Sequence, residues 1–302
     1  MSFSAKVKEE LTLHNSGVGR HCLLAGLYAI VNNSAELKLK FGLENITLYT
    51  ENEFLAANFM HIVKNAFNYM PEVFVRTNKK SGRKYYYISV CEQPVVSKLL
   101  KALNSPLILN QDCCKRYYLK NVFISNASIT DPGKNYHLEY VFSDEKNAEI
   151  VHGLLSGYEL KPRMIIRKKS YVVYIKDGEK ISENLGLINA HQSMLEFESL
   201  RVFKTVSNDI NRQVNCETAN MAKTARAFVS LQEDIQIVEA NMGIASLSKP
   251  LREIAELRLE NPNATLKEIG EMLNPPISKS GVNHRLRKIS EIAEKLRGDM
   301  YG

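Results

Sequence analysis

The sequence predicts an α+β chain, in which two tandem αββαββα units make a pseudo-dimeric domain over residues 1–206 and an all-α domain follows over residues 223–302. Three observations predict it. The apolar pattern recurs with an offset of roughly ninety residues. A polar, Asn-rich stretch, Ser207-Asn-Asp-Ile-Asn-Arg-Gln-Val-Asn-Cys-Glu217, follows that repeat and reads as a linker over 207–222. Beyond it only helical periodicity is found.

The first repeat, about 1–108, opens with an apolar helix around Cys22 to Val31. Two alternating strands come next, Glu36-Leu-Lys-Leu-Lys-Phe41 and Asn45-Ile-Thr-Leu-Tyr49. A helix from Glu51 to about Tyr69 leads to Val73-Phe-Val-Arg76 and Lys84-Tyr-Tyr-Tyr-Ile88, strands joined by a Lys/Ser/Gly-rich turn, and to a helix from Gln93 to about Leu103. The second repeat, about 109–206, keeps this order. A helix Tyr118 to Ser125, a strand Tyr136 to Phe142, a helix Asp144 to Leu155, a hairpin Arg163 to Ile175 and a helix Ile181 to Asn189 complete it. Antiparallel sheets backed by helices are the expected result.

After the linker, one helix is expected from Glu217 to about Ala240 and another from Ser248 to just before Pro262, with Pro250 in its first turn. Thr265-Leu-Lys-Glu268 is a capping box for a third, with Leu266, Ile269, Met272 and Leu273 on its inner face. Asn274-Pro275-Pro276 ends it. The last helix starts near Ser278 and aligns Val282, Leu286, Ile289, Ala293 and Leu296 on one stripe.

Composition narrows the function classes. No apolar run reaches the roughly 18–20 residues that span a bilayer, and the polar start lacks a signal-peptide core, so a cytosolic protein is expected. Five cysteines, Cys22, Cys91, Cys113, Cys114 and Cys216, show no CxxC spacing, which argues against a disulfide framework and against a tetrahedral zinc site; no metal or cofactor is expected. Cys113 and Cys114 read as half-buried reduced thiols at a helix start. The net charge of +7 suits a polyanion. From Val206 onward 13 basic and 13 acidic residues balance, so the whole surplus lies in the first two thirds.

Two helices joined by a short proline turn have helix-turn-helix character, in which the second enters the DNA major groove by its N-terminal part. With Val282 and Leu286 inward, Ser280, Asn283, His284 and Arg287 share the outer face, flanked by Lys279, Arg285 and Lys288. Asn and Arg can bond base edges bidentately, whereas Lys and the helix N-terminus suit phosphates. A merely solvated basic face is the competing reading. Gly281, in the first turn of that helix, would admit a close backbone neighbour. Arg76, Lys79, Lys80, Arg83 and Lys84 on the first hairpin, and Arg163, Arg167, Lys168 and Lys169 on the second, form two basic arms interleaved with tyrosines. Their matching places in the repeats would set them on one side of one continuous sheet as a duplex-binding saddle. Lysines that only protect exposed strand edges would produce the same composition.

Leu24-Ala-Gly-Leu-Tyr-Ala-Ile-Val-Asn32 resembles the LAGLIDADG motif of homing endonucleases, and Leu119-Lys-Asn-Val-Phe-Ile-Ser-Asn-Ala127 resembles a degenerate second copy. With the start Ser2 to Leu11, the stretch Asn211 to Asn220 and the string Pro275-Pro-Ile-Ser-Lys-Ser-Gly-Val-Asn-His-Arg-Leu-Arg-Lys288, the chain is similar over nearly its whole length to the WhiA family of bacterial regulators. That resemblance implies a nucleoid-associated DNA-binding protein of cell division, chromosome segregation and, in sporulating bacteria, developmental transcription. It also implies that the motif helices pack together through small residues such as Ala25, Gly26 and Ala29. Active endonucleases carry an acid at the eighth motif position to hold a metal beside the scissile phosphate. Here those positions read as Val31 and Asn126, so cleavage is not expected. A nuclease would need substitutes such as Glu36 and Asp131, which read better as strand and turn residues. A third reading has the repeat domain recruit a transcription or cell-division protein while only the C-terminal domain touches double-stranded DNA.

Overall fold

The computed structural model describes residues 1–13, 17–40 and 43–301, with residues 39, 40, 43 and 299–301 described by their backbone alone. Phe41, expected at the end of a strand, lies outside the described residues. The chain divides into two compact units, Met1–Val206 and Ser207–Gly302.

In the first unit the tandem repeat is present. Helix α1 (Phe3–Leu13) precedes α2 (Arg20–Ser34), β1 (Ala35–Lys40), β2 (Leu43–Thr50), α3 (Glu53–Phe67), β3 (Glu72–Thr77), β4 (Lys84–Val90) and α4 (Gln93–Leu103). The second copy is α5 (Asp112–Asn126), β5 (Ala127–Ile129), β6 (Leu138–Phe142), α6 (Glu145–Gly157), β7 (Arg163–Arg167), β8 (Ser170–Ile175) and α7 (Gly178–Leu187). Alternation decides which strand face is covered. Ile46, Leu48, Ile88 and Val90 in one sheet, and Leu138, Tyr140, Phe142, Val173 and Ile175 in the other, are buried in one core with α2 and α5. Side-chain caps start the intervening helices: Asn52 accepts from Phe54 and Leu55, Asp144 from Asn147, and Asp177 from Glu179 and Lys180.

The expectation of one continuous sheet is corrected. Two separate four-stranded antiparallel sheets form, ordered β1-β2-β4-β3 and β5-β6-β8-β7. In each copy the strand after the motif helix has a single ladder partner, β2 for β1 and β6 for β5, so no ladder joins the sheets among the described residues. The sheets meet instead through the packed helices α2 and α5.

The motif register of the first copy is also corrected. Helix α2 runs to Ser34 and passes directly into β1, as α5 runs to Asn126 and passes directly into β5. The ladders fix the correspondence between the copies: Ala35 pairs with Leu48 as Ala127 pairs with Tyr140, Leu48 pairs with Ile88 as Tyr140 pairs with Val173, and Asn52 and Asp144 are the equivalent N-caps. Position 32 therefore corresponds to 124, and Ser34, not Val31, corresponds to Asn126. Leu24-Ala-Gly-Leu27 and Leu27-Tyr-Ala-Ile30 carry the same apolar spacing one helical turn apart, which makes the two registers indistinguishable by pattern. Val31 instead packs against the core.

Helix α8 (His191–Met242) begins in the first unit and continues into the second, so the segment 207–222, expected as a linker before a helix starting at Glu217, is itself helical. It contains neither Gly nor Pro, and nearly all of its residues are exposed, which makes it a helix without a buried stripe. A short 3-10 turn, Ile244–Ser246, leads to α9 (Lys249–Glu260), α10 (Leu266–Met272) and α11 (Lys279–Tyr301). Leu231, Ile235, Val238, Ile254, Ile269, Val282, Ile289 and Ala293 form this unit's core. Asp234 is buried there and pairs with Arg297 at 2.8 Å. Met272, expected inward, is exposed, because α10 ends at that residue and Leu273 takes the buried position.

Candidate nucleic-acid interface

Helix α10 starts at the capping box read from the sequence: Thr265 accepts from the Glu268 amide, and the Glu268 carboxylate accepts from the Thr265 amide. The bond from the Thr265 amide to the carboxylate, joined by one from the Thr265 hydroxyl, holds the Glu268 carboxyl below the usual carboxylate range. Helix α11 is started by Ser278, whose hydroxyl accepts from the Gly281 amide at 3.3 Å. Between the helices, the Ile277 amide donates to the Gly270 carbonyl at 3.0 Å. Gly270 is the close-approach position: a Cβ there would collide with the Ile277 carbonyl oxygen and stand 3.2 Å from Val282. Gly281 does not have that role, since its Cβ would meet only the Ile277 side chain at ordinary contact distance.

With Val282, Leu286, Ile289 and Ala293 buried, α11 exposes Lys279, Ser280, Asn283, His284, Arg287 and Lys288, and leaves Arg285 half-buried. Its first three turns thus present two amide- or guanidinium-bearing side chains and two lysines, beginning at the helix N-terminus. One turn further on, Glu291 lies 3.8 Å from Arg287. All seven predicted residues are on one helix, and six are exposed.

On the first repeat, Arg76, Lys79, Lys80, Arg83 and Lys84 are exposed. Their turn is ordered by Asn78, which the sequence reading did not single out: its side chain accepts from Lys80 and Ser81, and its backbone bonds to Arg83 and Gly82. The ladder places Tyr49 beside Tyr87, Phe74 beside Tyr87 and Arg76 beside Tyr85. Tyr49 stacks on Tyr85 with nearly parallel rings 5.8 Å apart, and an aromatic row with a basic rim lines a concavity that includes Lys79 and Lys80. Desolvation within the row, with Tyr87 alongside, raises the Tyr49 hydroxyl above the usual phenol range.

The second hairpin is less free. Arg163, Arg167, Lys168 and Lys169 are exposed, and Lys168 takes the left-handed conformation of a two-residue turn (φ 58°). Glu139 lies 3.2 Å from Arg167 and 3.5 Å from His137, placing a carboxylate on the same sheet face. Arg83 of the first hairpin is likewise 3.5 Å from Glu51.

At the pseudo-dyad, Asn126 donates to the Val141 carbonyl at 3.0 Å. Neither Ser34 nor Asn126 offers a carboxylate. Glu36 is exposed on β1 and pairs with Lys38 at 2.9 Å, and Asp131 caps its own turn through the Gly133 amide at 2.9 Å. At the other end of the motif helices His21, Cys22, Cys113 and Cys114 come together, which CxxC spacing could not reveal because the two helices supply adjacent residues. All five cysteines are free; of the adjacent pair Cys114 is buried and Cys113 exposed.

Three family models match consecutive parts of the chain: a WhiA N-terminal LAGLIDADG-like domain over residues 20–104, a WhiA LAGLIDADG-like domain over 115–207 and a WhiA C-terminal HTH domain over 210–293. A relative from Alkaliphilus oremlandii, named "Probable cell division protein WhiA", is 42% identical over 98% of both chains. One of the same name from Lachnoclostridium phytofermentans is 39% identical over 98% of this chain and 100% of its own. The crystal structure of full-length WhiA from Thermatoga maritima shares the fold, with a TM-score of 0.63 at 24% identity over 98% of this chain and 99% of that one.

Proposed function

The chain belongs to the WhiA family, and on that premise we propose that it is a non-catalytic regulator of cell division that binds double-stranded DNA. The observation that carries this reading is the outer face of α11, where Asn283 and Arg287 stand exposed beside Lys279 and Lys288 while Val282, Leu286 and Ile289 hold the opposite side in the core. A helix anchored so tightly on one side and basic on the other suits entry into a major groove. The reading extends to chromosome segregation and, in sporulating organisms, to developmental transcription, with the protein on the nucleoid in the cytosol. It assigns no cleavage, because Ser34 and Asn126 supply no charged ligand for the cation that phosphodiester hydrolysis uses.

The test starts by mapping bound DNA in cells to find a target site, then measures binding to that site and to random duplex. Asn283→Ala or Arg287→Ala should lose about 1–3 kcal/mol of discrimination at one base position. Equal losses on both duplexes would reject base reading by α11. Supercoiled plasmid incubated with magnesium should stay intact; nicking that disappears on Glu36→Gln or Asp131→Asn would revive the nuclease reading.

A second reading has the repeat unit recruit a protein partner. The outer edge strands favour it: Val73, Phe74 and Val75 on β3 and Met164, Ile165 and Ile166 on β7 are all exposed, which is an apolar pattern unusual for a surface that contacts only phosphates.

A further inference from the structure

We propose that His21, Cys22, Cys113 and Cys114 form a tetrahedral site for a zinc-class divalent cation that clamps the first turns of α2 and α5 to each other. His21 Nδ1 lies 3.2 Å from the Cys114 sulfur, 3.3 Å from the Cys22 sulfur and 3.9 Å from the Cys113 sulfur. All four ligand atoms fall within 4.8 Å of one another. A tetrahedral zinc ion with bonds of about 2.3 Å to sulfur and about 2.0–2.1 Å to nitrogen sets its ligand atoms roughly 3.5–3.8 Å apart. The observed spacings bracket that range.

A thiol cluster held by hydrogen bonds alone explains the arrangement less well. One imidazole nitrogen has a single lone pair or a single proton, so it can serve only one of the three sulfurs converging on it. A cation serves all four groups together. Three thiolates, a neutral imidazole and a dication leave one negative charge, which the positive ends of two helices stabilise. The ligands sit where that field is strongest, in the first turns of α2 and α5.

The ring orientation has its own structural support. At the N-cap of α2, a Cβ on Gly19 would fall 2.8 Å from His21 Nε2, so the glycine leaves room for the imidazole to fold back and aim Nδ1 at the sulfurs. The set is also closed in composition, with three soft sulfur ligands and one imidazole, which is the Cys₃His pattern of structural sites and not the open pattern of catalytic ones. Its role is accordingly to join the two repeats at the end of the motif helices opposite Ser34 and Asn126.

The experiment titrates the reduced, metal-free full-length chain with zinc and with cobalt. One equivalent of each should bind, cobalt should develop the intense sulfur-to-metal and d–d absorption of a tetrahedral thiolate site, and zinc should raise the melting temperature of the repeat unit. Cys113→Ser and His21→Gln change exposed residues, so the fold should survive, checked by circular dichroism, while the cobalt spectrum is lost. Cys91→Ser and Cys216→Ser should keep it. Failure to bind one equivalent, a pale octahedral cobalt spectrum, or a tetrahedral spectrum that persists in folded Cys113→Ser would overturn the assignment. So would a disulfide between Cys22 and Cys114 found under the reducing conditions used.

Discussion

The side-chain amide of Asn58 donates to the carboxamide oxygen of Asn121, and the Asn121 amide donates in turn to the Tyr117 carbonyl at 2.7 Å, so α3 is tied to α5 inside the core. The same Asn121 faces Gly26 of α2, where a Cβ would fall 2.6 Å from its nitrogen and 2.6 Å from the Tyr117 ring. Close packing of the motif helices is therefore achieved with small residues on one side and a bonded Asn on the other. Gly26→Leu should destabilise the repeat unit by about 1–3 kcal/mol or more through overpacking. Asn121→Ala should cost about 1–3 kcal/mol through the lost buried hydrogen bonds. Urea unfolding followed by circular dichroism checks both, and a neutral Gly26→Leu would show that the helices separate without cost.

The turn of the C-terminal unit separates two glycines that look alike in the sequence. Gly270→Ala brings a methyl group onto the Ile277 carbonyl oxygen, whose backbone is held by the Ile277–Gly270 hydrogen bond, so the turn must open. A loss of about 1–3 kcal/mol is expected. Gly281→Ala meets no such obstacle and should stabilise α11 by about 0.5–1 kcal/mol. Thermal melts of the two variants should move in opposite directions.

That contrast shows what the sequence could and could not disclose. The stripe from Val282 to Ala293 and the Thr265–Glu268 box are local patterns, and local patterns report which face of a helix is covered. Gly270 is required by a carbonyl seven residues later in a turn, and a glycine inside a helix reads only as a weak point. The Val31 register failed for a related reason, since apolar residues one turn apart are equivalent until the helix end at Ser34 is seen. His21 and Cys114 are 93 residues apart, and only the packing of α2 on α5 makes them neighbours. The segment 207–222 reads as irregular because it is polar, although polarity without Gly or Pro does not prevent a helix.

Buried lysines make stability depend on pH in a defined direction. Burial pushes Lys120 and Lys8 down to about 8, with Glu10 partly opposing the shift at Lys120. Below that value both the folded and unfolded chains bind the proton. Between about 8 and the ordinary lysine value the unfolded chain binds more protons, so the folded state gains stability as pH rises. Near pH 10 the buried Tyr117, Tyr118 and Tyr140, whose hydroxyls burial raises above the usual range, begin to oppose this gain, because they ionise first in the unfolded chain. Urea midpoints should therefore rise from pH 8 toward pH 10 and then fall. Lys120→Met should flatten the rising limb; an unchanged limb would assign it to other groups.

The two hairpins should respond to charge removal in opposite ways. Lys79 and Lys80 rim the aromatic concavity with no carboxylate partner among the described residues, so their full charge is available to phosphates. Replacing both with Gln should reduce the salt dependence of duplex binding by up to ~0.9 per lost phosphate contact. Arg167 is different, because Glu139 sits 3.2 Å away and competes for its guanidinium. Glu139→Gln should free that charge, tighten non-specific binding and steepen the salt slope. Binding isotherms over a range of salt concentrations on random duplex measure both effects. If neither variant changes the slope, the charge on these hairpins serves strand-edge protection or a protein partner, and DNA contact rests on α11 alone.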